Sequence, residues 1–285
     1  MTTPSHSQKP TTLPAETRIG RTALLVNDLD ELTAFYRDVV GLTVVNRTET
    51  AAHLGAEEAE LLVLAEEEQT LTRHRSAAGL YHNAFRVPTR AALGDALARV
   101  REHWQLGGAS SHAVSEALYL TDPEGNGIEI YRDHPRDEWP MTSDGTVKIG
   151  TYPLDLGPIE AAATGESSVP AGTDVGHIHL EVTSLADFRD FYVDTLGFEV
   201  QTELPAATFV SAGGYHHHLG ANTWHHRTKP IQGRGLQWFE LIVPNSAALD
   251  SLRARLTVSE YDVIDDEGFS VTDADGVDVR LRSED

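Results

Sequence analysis

The sequence predicts an α+β fold in which one βαβββ module occurs four times. Two long segments support this prediction: IGRTALLVNDLDELTAFYRDVVGLTVV from Ile19, and VGHIHLEVTSLADFRDFYVDTLGFEVQ from Val175. Each reads as a strand, a short acidic turn, a helix with a Phe-Tyr pair, and a second strand. Gly41 and Gly197 stand where these helices would end, since glycine readily adopts the left-handed conformation that stops a helix. The two segments lie about half a chain apart, which indicates a duplicated sequence.

Each half also contains a weaker copy of the same pattern. GLYHNAFRVP from Gly79 and GLQWFELIVP from Gly235 each predict a strand that is followed by a helical segment. The sequence therefore predicts four modules, at residues 18–70, 79–132, 175–227 and 235–283. We further predict a flexible tail at 1–17, a first domain of two modules at 18–134, a proline-rich linker at 135–173, and a second two-module domain at 174–285.

The composition restricts the partners and the location of the protein. Acidic residues outnumber basic ones 44 to 22 in a chain of 285 residues, which gives a formal net charge of −22. Such a surface repels nucleic acids and anionic membranes, and it suits a salt-rich cytoplasm as well as an ordinary acidic bacterial protein. The chain has no cysteine and therefore no disulfide framework. We find no apolar run of about 18 residues and no signal-peptide pattern, so we expect a cytoplasmic protein. The sequence also allows a homo-oligomer.

The stretch from His112 to Tyr131, HAVSEALYLTDPEGNGIEIY, combines several reactive side chains. EALYL has the composition of a strand, DPEGNG that of a tight turn, and IEIY that of a returning strand. Such a hairpin can place His112, Tyr119 and Glu129 on one concave face, where a base, a phenol and a carboxylate would share a pocket. An ordinary hairpin with a solvent-facing glutamate is the alternative.

This spacing resembles the motif of the extradiol ring-cleaving dioxygenases, in the vicinal oxygen chelate superfamily with its glyoxalase/bleomycin-resistance fold. In that motif a histidine precedes Leu-Tyr, Asp-Pro, a glycine and a metal-binding glutamate. The chain has all of these elements, although Ser110 stands where the family usually has glycine. The resemblance is to two-domain catechol 2,3-dioxygenases. It implies that the four modules pair to form two cups like those of glyoxalases and extradiol dioxygenases.

The resemblance also implies that metal ligands lie at the start of a module's first strand and in its last strand. The first-strand positions of the four modules are Arg21, His82, His177 and Trp238. The last-strand positions are an apolar stretch near Leu62, then Glu129, the cluster His216 to His218, and Arg280. We therefore predict His82, His177 and Glu129 as the metal ligands. His179 is the rival of His177, because it is two residues further along and on the same face.

Two imidazoles and a carboxylate form the ligand set that binds non-haem iron(II) on one face and leaves positions open on the other. We predict iron(II) as the cofactor, and manganese(II) suits the same ligands. The set requires crossed pairing, in which the second module joins the third and the first joins the fourth. Sequential pairing would place His82 and His177 in separate cups. With crossed pairing, the other cup would hold Arg21, Trp238 and Arg280 and would be metal-free.

Similar residues in the family suggest roles for the other polar side chains. We predict His218 as the general acid–base group, because it aligns with Glu129 when the preceding glycines are matched. The alignment through the cluster leaves His216 and His217 as alternatives. His112 would hydrogen-bond to the substrate or to bound oxygen, and Tyr119 would orient the substrate hydroxyl or its developing ketone.

The predicted function is an iron(II)-dependent extradiol dioxygenase that cleaves the ring of catechol or a substituted catechol with O2. Its partners would be a small aromatic diol and dioxygen. A glyoxalase-type metal-dependent lyase or isomerase is one alternative, because such enzymes use the same cup without oxygen. A non-catalytic small-molecule-binding resistance protein of the same fold is another, and a metal-free purified protein would favour it.

Overall fold

The computed structural model describes residues 12–67, 71–143, 145–259 and 261–285. Within them the chain forms four βαβββ modules in the predicted order, which confirms the α+β fold. The first module comprises β1 (Arg18–Val26), α1 (Leu29–Phe35) with a π-helical continuation (Tyr36–Val40), β2 (Thr43–Arg47), β3 (Ala51–Ala56) and β4 (Ala59–Glu66). The second comprises β5 (Gly79–Arg86), α2 (Arg90–His103), β6 (Gly108–Ser111), β7 (Ser115–Thr121) and β8 (Gly127–Asp133).

The two halves are joined by a segment that contains a 3-10 turn (Arg136–Glu138), β9 (Tyr152–Pro153) and α3 (Gly157–Glu160). The third module comprises β10 (Asp174–Glu181), α4 (Leu185–Phe188) with a π-helical continuation (Arg189–Thr195), β11 (Glu199–Leu204), β12 (Ala207–Ser211) and β13 (Leu219–Asn222). The fourth comprises β14 (Gly235–Val243), α5 (Ser246–Val258), β15 (Ile264–Asp266), β16 (Gly268–Thr272) and β17 (Asp278–Ser283). None of the helices in the described ranges has the length and apolar character needed to cross a membrane.

The strands form two sheets, and each sheet takes one module from each half of the chain. The eight-stranded sheet has the order β15-β16-β17-β14-β1-β4-β3-β2, and the nine-stranded sheet has the order β11-β12-β13-β10-β5-β8-β7-β6-β9. The prediction of crossed pairing is therefore confirmed. In each sheet the two first strands lie antiparallel at the centre, and each is flanked by the parallel last strand of its own module. This arrangement brings the first-strand and last-strand positions of the second and third modules together.

The four module helices begin in the same way. The residue before each helix has a short polar side chain that accepts a backbone N–H from the first turn: Asp28, Thr89, Ser184 and Asn245. This contact satisfies one of the N–H groups that a helix start leaves unpaired. At the other end, Gly41 and Gly197 have φ values of +92° and +93°, which confirms the predicted left-handed stops.

Tyrosines of the Phe-Tyr pairs link consecutive modules that belong to different sheets. The buried Tyr36 hydroxyl donates to Asp122 Oδ2 over 3.1 Å, and the buried Tyr192 hydroxyl donates to Asp273 Oδ2 over 2.9 Å. Both aspartates lie in the turn that precedes the last strand of the next module. Since a buried hydroxyl without a partner is costly, these bonds make the contact between the sheets specific as well as apolar.

Parts of the predicted tail and linker are packed rather than free. Residues 1–11 of the tail lie outside the described residues, but Leu13 is buried and its N–H donates to the Gly197 carbonyl. In the linker, β9 adds to the edge of the nine-stranded sheet beside β6. The linker residues Trp139 and Ile159 are also buried. The segment at 135–173 is therefore part of the folded body and can contribute to a site.

Candidate metal centre and cavity

Three buried side chains from the centre of the nine-stranded sheet converge. His82 lies on β5, His177 on its antiparallel neighbour β10, and Glu129 on its parallel neighbour β8. The Nε2 atoms of the two histidines are 3.3 Å apart. Glu129 Oε2 lies 3.1 Å from Nε2 of His82 and 3.2 Å from Nε2 of His177. The structure thus brings together the three side chains that the sequence predicts as metal ligands.

This geometry fits one divalent metal ion. A first-row metal binds imidazole nitrogen and carboxylate oxygen at about 2.1 Å, so ligand atoms at right angles around it are about 3 Å apart. All three separations are close to that value. Among the residues that the structure describes, these three form the one group of His, Asp and Glu side chains arranged to hold a metal.

The charge states of the cluster also suit a cation. Burial lowers the pKa of His177 to about 4, so its imidazole is neutral near pH 7. Burial by itself would raise the pKa of Glu129, but His177 and His82 outweigh it and hold that pKa well below its usual range. A neutral imidazole and an ionised carboxylate are the protonation states that bind a metal.

His179, the rival of His177, occupies a different position. Its Nε2 is 3.0 Å from Nδ2 of Asn222, and an amide nitrogen can only donate, so this Nε2 is the acceptor. Its ring packs against the rings of Tyr81 and Trp224, with centroid distances of 4.9 and 5.4 Å. His179 therefore forms part of a wall beside the triad, whereas His177 contacts Glu129.

His112 and Tyr119 form a hydrogen-bonded pair, as the motif predicts for neighbours in one pocket. His112 Nδ1 lies 2.7 Å from the Gly150 carbonyl, which can only accept a hydrogen bond, so Nδ1 carries a proton. In the neutral imidazole, Nε2 is then the acceptor for the Tyr119 hydroxyl at 2.6 Å. Burial and the charge of Glu129 raise the pKa of Tyr119, so its hydroxyl stays protonated near pH 7.

The histidine cluster differs from the prediction, because His216, His217 and His218 precede β13 instead of lying on it. His217 lines the cavity in front of the triad, and its ring centroid is 4.1 Å from that of His177. His218 is not among the cavity-lining residues: its Nδ1 accepts the Ala212 N–H, and its ring packs on Tyr215. The geometry therefore places His217, and not His218, beside the cavity, and the identity of the acid–base group stays a prediction.

A chain of hydrogen bonds orients His217. His216 Nε2 lies 3.0 Å from the carboxylate of Asp133, so Nε2 donates to it. When His216 is neutral, its Nδ1 is the acceptor for Nδ1–H of His217, at 2.8 Å. In that tautomer, Nε2 of His217 has no proton. Burial lowers the pKa of His217 well below its usual range, which favours the same neutral form.

A cavity of about 1090 Å³ opens in front of the triad. Polar side chains that line it include His82, His112, Tyr119, Glu129 and His217. Residues that the sequence analysis did not assign to the site complete the wall: Tyr81, Trp104, Ile149, Gly150, Thr151, Leu204, Phe209 and Trp224. Three of these come from the predicted linker. Tyr81 lies next to His82, and Trp104, Phe209 and Trp224 lie within about eight residues of His112 or His217, so proximity in sequence was an available signal. The linker residues had no such signal.

The equivalent position in the eight-stranded sheet contains arginine and tryptophan. The strand registers set the equivalence, because Ala23 is opposite Trp238 just as His179 is opposite His82. The Arg280 guanidinium lies 4.0 Å from the Trp238 ring centroid, and that of Arg21 lies 5.9 Å from it. Arginine stays protonated in proteins and does not donate to a metal. Ion pairing and cation–π contacts thus replace the ligand set in this sheet.

We expect Glu240→Gln to reduce the free energy of unfolding by about 1 to 3 kcal/mol. This is less than the cost of breaking a fully buried ion pair, because the two arginines that pair with Glu240 are partly exposed. The buried Glu240 carboxylate pairs with Arg21 at 2.6 Å and Arg282 at 3.3 Å. Urea unfolding measures the change. Metal content should stay at the wild-type level, since Glu240 belongs to the other sheet. A variant as stable as wild type would contradict the structural role of this ion pair.

Comparison with known protein families agrees with the fold. The model of the glyoxalase/bleomycin resistance protein/dioxygenase superfamily matches residues 18–130 and 174–281. The chain therefore belongs to this superfamily. It is 39% identical over 273 residues to catechol-2,3-dioxygenase of Bacillus subtilis (strain 168), an alignment that covers 92% of this chain and 96% of the relative.

Solved structures support the fold. A protein of Bacillus subtilis subsp. subtilis strain 168, described as a candidate dioxygenase, superposes with a TM-score of 0.67 at 12% identity, covering 96% of this chain and 86% of that chain. Glyoxalase I from Zea mays superposes with a TM-score of 0.56 at 13% identity, covering 93% and 92% respectively. At this level of identity the two structures indicate a common fold.

Proposed function

We propose that the protein is an extradiol dioxygenase that uses iron(II) and O2 to cleave the ring of catechol or a substituted catechol. The observation that carries the proposal is the convergence of His82, His177 and Glu129 beside a cavity that His112 and Tyr119 line. The 39% identical catechol-2,3-dioxygenase supports the same activity. Manganese(II) fits the same ligands and is the alternative metal.

His82, Glu129 and His177 would hold the ion, and the adjoining cavity would have room for a diol. Iron(II) held there would lower the pKa of a substrate hydroxyl and supply electron transfer between the ring and dioxygen. Nε2 of His217 is free to accept a substrate hydroxyl proton and return it later. The Tyr119 hydroxyl can rotate away from Nε2 of His112 and donate to a substrate oxygen, while Nδ1–H of His112 stays on the Gly150 carbonyl.

Anaerobic purification followed by iron(II) reconstitution tests the proposal. We expect one bound iron per chain, one O2 consumed per catechol in an oxygen electrode, and a ring-opened product by mass spectrometry. Parallel loading with manganese(II) identifies the metal that supports turnover. Bound metal without oxygen uptake for any catechol would favour a glyoxalase-type lyase or isomerase. A protein that binds catechols but no metal would favour a non-catalytic binding protein.

We expect Tyr119→Phe to lower kcat by about 10- to 100-fold, because a hydrogen bond to a developing charge contributes roughly 1.5 to 3 kcal/mol. Iron content should not change, since the phenol is not one of the three ligands. Tyr152→Phe is the matched control, because Tyr152 is exposed on the edge strand β9 and is not a cavity-lining residue. Equal rates for wild type and Tyr119→Phe would remove the phenol from the mechanism.

A further inference from the structure

The cavity is large and has an apolar mouth. Its volume of about 1090 Å³ is at the upper end of the range for drug-sized ligands, and unsubstituted catechol would leave much of it empty. Three lining residues are large apolar side chains with high solvent exposure: Trp104 at 37%, Trp224 at 43% and Leu204 at 49%. Exposed apolar side chains that cluster around a cavity mark a binding surface for apolar groups.

The aromatic side chains at the mouth are held in place before a ligand binds. The Trp104 indole N–H donates to the Thr121 carbonyl over 2.8 Å, and its ring packs edge-on against Phe35 with centroids 5.0 Å apart. The Trp224 ring packs edge-on against Tyr81 at 5.3 Å. Because the Tyr81 ring also lies 5.4 Å from the His82 ring, these contacts make a continuous aromatic wall from the metal ligands to the mouth.

Away from the metal position, the described lining of the cavity offers no strong cation to an anionic substituent. Within the described part of the chain, none of its lining residues is lysine or arginine. The lining carboxylate, Glu129, faces the metal position. Two of the lining histidines are already bonded to protein groups: His112 to the Gly150 carbonyl and the Tyr119 hydroxyl, and His179 to the Asn222 side chain. A ligand carboxylate would lose its hydration here without gaining an ion pair, and the net charge of −22 would also oppose its approach.

We propose that the substrate is a catechol with an uncharged, apolar ring substituent that reaches the mouth formed by Trp104, Leu204 and Trp224. Catechols with a carboxylate on the substituent are excluded. This inference rests on the proposed function for the position of the diol, which lies at the triad. A described lining that contains neither lysine nor arginine, the aromatic wall and the apolar mouth then determine what the opposite side of the ring can carry.

Equilibrium binding tests the proposal without turnover. Iron-loaded protein is titrated anaerobically, with tryptophan fluorescence as the signal, against catechol and its 4-methyl, 4-ethyl and 4-propyl derivatives. We expect Kd to fall about fourfold for each methylene that is buried. 4-Isobutylcatechol and 3,4-dihydroxyphenylacetate have similar shapes, and we expect the neutral compound to bind at least about tenfold more tightly. The proposal would be overturned if Kd stayed constant along the alkyl series. It would also be overturned if 3,4-dihydroxyphenylacetate bound as tightly as 4-isobutylcatechol or more tightly.

A charge placed at the mouth provides the second test. In Leu204→Arg, a cation at an exposed position should reduce the preference for 4-isobutylcatechol over 3,4-dihydroxyphenylacetate by about tenfold. Val258→Arg is the matched control, because Val258 is 83% exposed on α5 and does not line the cavity. If the two variants keep the same preference as wild type, the substituent does not reach the mouth and the proposal is wrong.

The binding assay separates this inference from the proposed function. If the alkyl series binds as expected but no catechol is cleaved, the inferred ligand class stands and the dioxygenase assignment fails. If catechols are cleaved but the carboxylates bind and react best, the dioxygenase assignment stands and the inferred ligand class fails.

Discussion

Glu129→Gln is expected to abolish stable iron binding and turnover together. The substitution retains the side-chain volume but removes the negative charge from a ligand set whose other two members are neutral imidazoles. Removing a residue that only hydrogen-bonds to a metal ligand lowers metal affinity by about 10- to 100-fold. Removing the anionic ligand itself should therefore lower iron affinity by more than about 100-fold. Iron per chain after anaerobic reconstitution and oxygen uptake with catechol are the two measurements.

Glu60→Gln is a suitable control for that experiment. Glu60 lies in the eight-stranded sheet, where it pairs with Arg21 and His53 and is partly exposed. Glu60→Gln makes the same carboxylate-to-amide change in the same fold, and the variant should retain iron and activity. If Glu129→Gln also retained full iron and normal turnover, the proposed metal centre would be misplaced.

The modular fold could be predicted from the sequence because its signals are local. Helix-capping side chains recur at corresponding positions, and Gly41 and Gly197 end their helices at positive φ. Crossed pairing is not a local property, since strand composition does not specify which module is the partner. It could be inferred only because chemistry demanded it: His82 and His177 are 95 residues apart, and one metal requires their Nε2 atoms to meet.

The histidine cluster shows where pattern-based prediction fails. The sequence pattern places YHHHLG on a strand, and alternate side chains of a strand face opposite sides. In the structure, Gly213 and Gly214 adopt φ values of +58° and +65°, and β13 begins only at Leu219. Alternation therefore does not apply to His216–His218. The loop conformation directs His217 into the cavity, and no local sequence signal specifies that conformation.

The contribution of the connecting segment could not be predicted for a related reason. Its apolar anchors, such as Trp139 and Ile159, are too far apart to form a periodic pattern, and β9 pairs over only two residues. Its placement depends on an edge strand that already exists. Gly150, the partner of His112, therefore reaches the cavity through tertiary contacts that the composition of the segment does not indicate.

His217→Ala is expected to retain iron and to lower kcat by about 100- to 10,000-fold, the range for a general acid–base group. The reason is the position of Nε2: it lacks a proton, because Nδ1 donates to His216, and the ring lines the cavity. The substitution leaves the predicted metal ligands His82, His177 and Glu129 unchanged, so iron should still bind. Single-turnover rates with iron-loaded protein measure the loss directly, and iron content distinguishes a proton-transfer defect from a binding defect.

His218→Ala provides the contrast, because it removes a neighbouring histidine that faces the protein interior. It should lower the free energy of unfolding, since the Ala212 N–H loses its acceptor and the Tyr215 ring loses a packing partner. A buried donor left without a partner costs about 1 to 3 kcal/mol. The kcat of the folded variant should stay near that of wild type. If His218→Ala instead lost the rate and His217→Ala did not, proton transfer would belong to His218, and the loop would have to rearrange when substrate binds.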